Sequence, residues 1–506
     1  MSQPESNQTL AELGTELSME PFREELQPLI EEVLAETGKN EYRSNTKLVP
    51  NLVVWLVLGL TIRRELNCNQ VLNWLLSGFR WLYELLPPEA QLVAAGAITH
   101  ARTRMGADVF KKLFKKQVKS FDELEPDFHG YVTVLHDGTT ATMPDSVSNR
   151  EEFDKPSSRN GASAFPQMRI MALVVLKTRL VLDLSFAPYT GKGNGERALL
   201  KEILHDMRDG RFLHLGDAGL HSFEMIYQIH VTQGQDFLFK IPGTLKPKFI
   251  KRLSDRSYLA TLSKRVVDAD NPKHDNGKTR WKTLSLTVRV IHVQTDGFQP
   301  YRLITSIDDE SISAMELVKH YHNRWDIEIA YDELKVHQIV TLRGQSPTTL
   351  RSRLPELVKQ ELYASFIMYN SIRRVIAHAA HEHNKDPRFI SFKDSLRHLI
   401  DAIPPLSTLD SPQRSNRYSY MLAVIADCQL PHPRRHRAAP RAVKVKMSKF
   451  KRKRDADKSL HRDFEADTSI LEPPYPSPSL KSSLPALKPS PYFLIIPTPF
   501  FLLFKN

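Results

Sequence analysis

Tyr131–Thr139, YVTVLHDGT, is where the chain changes period. Upstream of it apolar residues recur at helical spacing, whereas from Tyr131 they alternate and are β-branched, which marks a strand. The alternation stops at Asp137-Gly138, so the strand is expected to end there with a carboxylate at its tip. MRIMALVVL (168–176) and RLVLDLSFA (179–187) read as two further strands joined at Lys177-Thr178. A helix, ERALLKEILHDM, leads to a strand, RFLHLGD, that ends at Asp217; a helix around Phe223 to Val231 then leads to a strand, DFLFKI. Three strands, helix, strand, helix, strand predicts a mixed α/β sheet with Asp137 and Asp217 both at strand ends.

Outward from this sheet the chain divides by composition. Residues 1–18 are polar and acidic, lack the basic and apolar regions of a secretory signal, and are expected to be disordered. Residues 19–125 read as a helical N-terminal domain, with QLVAAGAITHARTRMGADVFKKLFKKQ as one helical pattern. Pro50 to Ile62, the longest early apolar run, has 13 residues and is too short to span a bilayer of about 30 Å, so it reads as a buried helix. Residues 126–243 hold the first part of the sheet core, and 244–301 look like a different module, a β-rich insertion of short alternating strands around polar turns. Residues 302–430 hold the rest of the core and the C-terminal helices, and 431–506 form a basic and Ser/Pro-rich tail expected to be mostly disordered. The glycines at Gly191, Gly193 and Gly195 lack the Gly-Lys-Ser/Thr ending of a phosphate loop and read as a turn before a helix.

The two cysteines, Cys68 and Cys428, form no CxxC, so neither a disulfide framework nor a cysteine zinc site is supported and a reducing compartment fits. The net charge of +12 points to a polyanionic partner. Arg434–Arg454 alone carries eleven Lys/Arg and no acid, so the remainder of the chain is nearly neutral. Unpaired charge at that density cannot enter a core, and the segment must be solvated or bound to a polyanion such as DNA.

A second stretch, Tyr321–Lys335 (YHNRWDIEIAYDELK), holds Tyr321, Arg324, Glu328 and Lys335 at intervals of three, four and seven residues. On an α-helix at about 100° per residue these four share an arc about 60° wide. Trp325, Ile329 and Val336 flank the stripe on one side and Ile327, Tyr331 and Leu334 on the other, while Asp326 and Glu333 point the opposite way. Two apolar flanks predict a helix wedged into a core with its charged edge lining a cleft. Asp332 is the nearest other acid to the stripe. Two strand-end aspartates, a helix glutamate and neighbouring cations are the parts of a two-metal phosphoryl-transfer site, because Mg²⁺ prefers carboxylate oxygens and a phosphodiester needs cations beside it.

DGT at Asp137, GD at Asp217 and the ungapped Tyr-x2-Arg-x3-Glu-x6-Lys signature resemble the bacterial DDE transposases of the insertion-sequence-four family. The likeness extends to TGKGNGE, the β-rich insertion, the helical N-terminal region and the basic ending, over about residues 20–454. The resemblance implies an α/β RNase H-like catalytic core interrupted by the insertion, with a helical N-terminal domain and a helical C-terminal region. It implies that Asp137, Asp217 and Glu328 bind two Mg²⁺ ions, with Mn²⁺ able to substitute, and that Tyr321, Arg324 and Lys335 contact transposon-end phosphates. It further implies double-stranded DNA partners (terminal inverted repeats and target DNA), a homodimer on DNA, and a bacterial cytoplasmic, nucleoid-associated location. Trp281 reads either as packing for the insertion's own core or as a platform for a base flipped near the cut. His136, His214, His320 and His322 read as structural or DNA-contacting rather than zinc ligands. Two alternatives stand beside transposition: a DNA-binding remnant, which the intact Asp137, Asp217 and Glu328 oppose, and a carboxylate-pair glycosidase, which needs no phosphate-facing Arg and Lys.

Overall fold

The computed structural model describes residues 19–474 apart from 44–45, 78–92, 122–123, 159–160, 269–278, 336–348, 408, 431–436, 439–442, 445–450 and 453–461. The expectations for residues 1–18, for Val336, for most of the basic run and for 475–506 lie outside the described residues.

The sheet core is built from β1 (Val132–Thr142), β2 (Gln167–Val175), β3 (Val181–Pro188), β4 (Phe212–Gly216) and β5 (Asp236–Ile241). Their order is β3-β2-β1-β4-β5, antiparallel on the β2 side of β1 and parallel on the β4 side. Each parallel pair is connected through a helix: β1 reaches β4 by way of β2, β3 and α6 (Glu196–His205), and β4 reaches β5 through Phe223–Tyr227 with its continuation Gln228–Thr232. β1 does not end at Asp137 as its alternation suggested. Its pairing with β4 stops at Leu135↔Leu215, but its pairing with β2 continues to Thr142↔Gln167. Asp137-Gly138 is therefore where one neighbour is lost, and the other keeps the backbone extended.

Residues 244–301 supply β6 (Lys248–Arg252), β7 (Tyr258–Val267) and β8 (Trp281–Thr295). These strands continue the core sheet, because β9 (Tyr301–Thr305) pairs antiparallel with β5 on one side and β8 on the other. The full order is β3-β2-β1-β4-β5-β9-β8-β7-β6, with β10 (Thr468–Ile470) paired to β8. That last pairing corrects the expectation for the tail: within 431–506, Arg462–Ile470 folds back onto the sheet, because a strand-like Thr468-Ser-Ile470 follows a turn closed by its own aspartates.

The N-terminal helices are α1 (Arg23–Glu36), α2 (Pro50–Ile62), α3 (Cys68–Leu75), α4 (Ala95–Met105) and α5 (Asp108–Lys119). The stretch expected as one helical pattern from Gln91 to Gln117 is split at Gly106, which adopts φ +77° and ends α4. α7 (Ala314–His322) and α8 (Asp326–Asp332) follow the sheet, and then come α9 (Pro355–Glu382), α10 (Phe392–Leu406) and α11 (Ser411–Asp427). α9, mostly buried, packs against α2, α5 and α11, so the N-terminal helices share a core with the C-terminal ones. Polar keys fix this packing: Arg64 pairs with buried Glu361, and Arg102 Nε donates to Gln360 Oε1 at 2.8 Å. No described helix is long and apolar enough to cross a membrane.

Candidate active site

Register places the two aspartates. β1 and β4 pair in parallel from Val132↔Phe212 to Leu135↔Leu215, and two residues beyond that last pair each chain segment carries an aspartate, Asp137 and Asp217, near enough that the charge of Asp217 acts on Asp137. Such carboxyl ends of parallel strands are where open α/β sheets bind ligands. The Asp217 carboxylate accepts the N–H groups of Gly219 (2.9 Å) and Leu220 (3.0 Å), which fixes its turn. Asp137 accepts from the Gly138 N–H at 2.8 Å. A Cβ at Gly138 would sit 2.6 Å from the Glu196 carboxyl group, so this position must be glycine while Glu196 lies over it.

Burial pushes the Asp137 carboxyl up to about 6, from an ordinary 3.8, and the nearby Asp217 and Glu196 add to the rise. The Gly138 N–H and the Arg324 guanidinium, whose Nη1 is 3.8 Å from Asp137 Oδ2, oppose it without cancelling it. Lys240 belongs to the same environment: its amine is lowered by burial and by Arg324 and raised by Asp217, and its Nζ lies 4.8 Å over the Tyr301 ring. Its place was legible in principle, because the β4–β5 register Gly216↔Phe239 makes Lys240 the neighbour of Asp217. Glu196 and Lys240 are the two residues that the reading of the sequence passed over.

The Tyr321–Lys335 stretch is not one regular helix. α7 ends at His322, Asn323–Trp325 tightens into a 3₁₀ turn, and α8 starts at Asp326. A 3₁₀ turn has three residues per turn, so the 100° spacing does not carry across it. Ile327, Tyr331 and Leu334 are buried as expected, but Trp325 is 49% and Ile329 38% exposed, so one of the two predicted apolar flanks faces outward. Tyr321 and Arg324 are buried, Lys335 is half-buried with its amine lowered by burial, and Glu328 is exposed.

Two tyrosine hydroxyls key this segment to the aspartate strands. Tyr321 donates to the Gly216 carbonyl at 3.1 Å, next to Asp217, and Tyr331 donates to the Asp137 carbonyl at 2.6 Å. On the opposite face Asp326 and Glu333 are buried in an ion cluster. Glu333 accepts from Arg179 (2.6 Å), Arg373 (2.9 Å) and Tyr369 (3.0 Å), and Arg179 lies 3.9 Å from Asp326. The histidines near the site also hold structure: His136 and His214 meet at 2.8 Å, and His320 meets the Thr133 hydroxyl at 2.7 Å while stacked on Phe128. Trp281 lies at the start of β8, 49% exposed, with the Arg265 guanidinium 5.6 Å from its ring centroid.

Residues 19–115 match the family profile of the insertion element 4 transposase N-terminal region, and residues 128–371 match the transposase DDE domain. The chain belongs to the IS4 family of DDE transposases. It is 26% identical over 429 residues to transposase InsG for insertion sequence element IS4 of Escherichia coli K12, covering 83% of this chain and 91% of that one. It is 32% identical over 102 residues to putative transposase InsZ of the same organism, covering 19% and 34%. Among solved structures, a piggyBac transposase synaptic complex with hairpin DNA matches with a TM-score of 0.41 and 12% identity, over 81% of this chain and 83% of that one.

As an IS4-family member the protein is an insertion-sequence transposase, an enzyme that acts on DNA, and its mixed sheet is the RNase H-like core of the DDE domain. Asp137, Asp217, Trp281, Tyr321, Arg324, Glu328 and Lys335 all fall within the DDE match. The fold brings Asp137, Asp217, Tyr321 and Arg324 together. Glu328 is not gathered with them, and among the described residues no group of three or more His, Cys, Asp or Glu is close enough to hold a metal ion. The chemistry of the donor pair still suits a divalent cation: two carboxylates lie just beyond the last paired residues of adjacent parallel strands, and one has a raised proton affinity that a bound cation would relieve.

Proposed function

We propose that this transposase cuts the ends of its insertion sequence and joins the freed 3′-hydroxyls to target DNA by two-metal phosphoryl transfer. The observation that carries the reading is the pair Asp137 and Asp217, just beyond the paired part of two parallel strands, with Arg324 beside Asp137 and Asp137 incompletely compensated. Asp137 and Asp217 would hold Mg²⁺ or Mn²⁺, with Glu328 brought in from its exposed position to complete a two-ion site when DNA is bound, and the ions would polarise the attacking and leaving oxygens. Arg324 and Lys335 supply cations for the phosphodiester, and Lys240, level with Asp217, adds a third. The Tyr321 hydroxyl, already committed to Gly216, serves the reading by fixing the Asp217 turn relative to Arg324. Glu328 and Trp325 lie on the exposed face of their segment, where a duplex has access to them. Trp281, exposed on β8, is available to stack a flipped base, and the eleven cations of 434–454 are available for sequence-independent phosphate contacts.

Joining two ends requires two active sites in one complex, so the active form is a homodimer with a DNA end bound to each chain. The test is cleavage of a duplex carrying the element's own end, with Mg²⁺ and with EDTA, by the wild-type chain and by Asp137→Ala, Asp217→Ala and Glu328→Ala. Metal-dependent nicking by the wild type alone, with end binding retained by all three variants, supports the reading. Specific binding without cleavage by the wild type would instead leave a DNA-binding remnant, and sizing the cleavage-competent complex as a single chain would remove the dimer.

A further inference from the structure

Residues Arg462–Glu472, which follow the basic run, make specific contacts with the body of the protein. The Asp463 carboxylate accepts the N–H groups of Glu465 and Ala466, both at 2.9 Å, and the Asp467 carboxylate accepts the Asp463 N–H at 2.9 Å. These bonds close RDFEAD into a self-capped turn. The turn carries Phe464, which is buried and whose ring is stacked on His322 with centroids 3.8 Å apart and planes 17° from parallel. Beside it Glu465 pairs with Lys319 at 3.3 Å. His322 and Lys319 are both on α7, the helix that carries Tyr321 and leads through the 3₁₀ turn into Arg324.

The same segment then grips the sheet. β7 pairs with β8 only from Trp281 to Val290, which leaves the rest of that edge of β8 to be covered. β10 pairs with Val293–Thr295 on that edge, with the Thr295 and Thr468 hydroxyls 2.8 Å apart. Flanking bonds from Asp296 N–H to the Asp467 carbonyl and from Leu471 N–H to the His292 carbonyl, both 3.0 Å, extend the ladder. Glu472 finally meets Arg252 of β6 and, at 3.1 Å, Arg256. One short segment thus joins α7 to β8 and β6.

We propose that residues 462–472 are a positioning strap for the active site, with Phe464 as the positioning residue. The strap ties α7 to the outer strands, so that Tyr321 and Arg324 are held against the aspartate strands while DNA loads the outer sheet. The proposal rests on the active-site reading given above. It assigns to the terminal region a role distinct from the charge of 434–454.

The test compares the full chain, chains ending at Pro474 and at Arg454, and the full-length variants Phe464→Ala and Phe464→Tyr. Each is assayed for Mg²⁺-dependent cleavage of a duplex carrying the element's end, for affinity for that duplex, and for amide exchange over residues 314–332. The chain ending at Pro474 should match the full chain. Ending at Arg454, or Phe464→Ala, should slow single-turnover cleavage by roughly ten- to a hundredfold and speed exchange over 314–332, as displaced catalytic groups do. End affinity should stay within about threefold, since binding is spread over many phosphates. Phe464→Tyr, which keeps the stack, should restore both rate and exchange. If the chain ending at Arg454 also melts earlier, the full-length Ala and Tyr variants decide alone. Wild-type rate and wild-type exchange in Phe464→Ala would overturn the strap. Glu328→Ala is run in parallel, because residual cleavage there would instead overturn the active-site reading.

Discussion

Asp137 and Glu333 are both carboxylates withdrawn from water beside arginine, and the protein treats them in opposite ways. Glu333 is satisfied by two guanidiniums and a tyrosine hydroxyl at 2.6–3.0 Å. Asp137 has one backbone N–H at 2.8 Å and a guanidinium only at 3.8 Å, and burial drives its carboxyl up to about 6. A buried charge that is fully compensated is a structural anchor, whereas one left short of partners keeps free energy for a ligand. The segment Tyr321–Lys335 carries the anchor, Glu333, on one face and packs Tyr321 and Tyr331 against the aspartate strands on another.

The comparison breaks most visibly in catalysis. Asp137→Ala, Asp217→Ala or Glu328→Ala should lower strand cleavage by on the order of a thousandfold or more, since each would remove a proposed ligand of the ions that stabilise the developing charge. Gel assays of end cleavage and end binding on the same preparations check this, and nicking by any of the three at near wild-type rate rejects its assignment. On the anchor side, Glu333→Gln leaves Arg179 and Arg373 buried against a neutral partner and should cost about 3–5 kcal/mol of stability. Urea unfolding measures it; a loss under 1 kcal/mol would mean that Glu333 is not an anchor.

The opposite sign is expected at Asp137. The folded chain holds the Asp137 proton up to about pH 6 and the unfolded chain releases it near 3.8, so the folded state binds more protons within that window. In metal-free buffer stability should therefore fall as pH rises from about 4 to 6, and stay low above it. Asp137→Asn removes this slope and should be more stable than wild type at pH 7 by on the order of 2–3 kcal/mol, while cutting poorly. Unfolding curves at pH 4, 5, 6 and 7 with parallel slopes for the two proteins would contradict the account. The smallest expected effect is Tyr369→Phe, which removes one hydrogen bond from Glu333 and should destabilise by about 1 kcal/mol. A much larger loss would show that the cluster acts as one cooperative unit.

Much of this was legible in the residues. The change of period at Tyr131 located the sheet, the order of strands and helices predicted its mixed character, and the Tyr-Arg-Glu-Lys spacing pointed to the segment that packs against the aspartates. The Lys240 position was recoverable from the parallel register, yet a cation near the end of an apolar strand looks like any other until the neighbour is known. Glu196 was hidden for a different reason. It opens a helix after a glycine-rich turn, and only the close approach of that helix to Gly138 places its carboxyl group beside Asp137.

What the sequence by itself determined is local: periodicity, turn chemistry, the density of charge in 434–454, and which residue types could serve a phosphodiester. Those depend on neighbours within a few positions, where backbone geometry allows few choices. The tertiary structure alone decided what depends on distant contacts. It broke the Tyr321–Lys335 helix at Asn323–Trp325, turned Trp325 and Ile329 outward, and ran β1 past Asp137 because β2 stays paired to it. It merged the 244–301 strands into the core sheet through β9, and it folded Phe464 back onto His322. It also surrounded Glu333 with cations and left Asp137 short of them, since the partners that fix a buried charge are brought together by packing and not by their spacing along the chain.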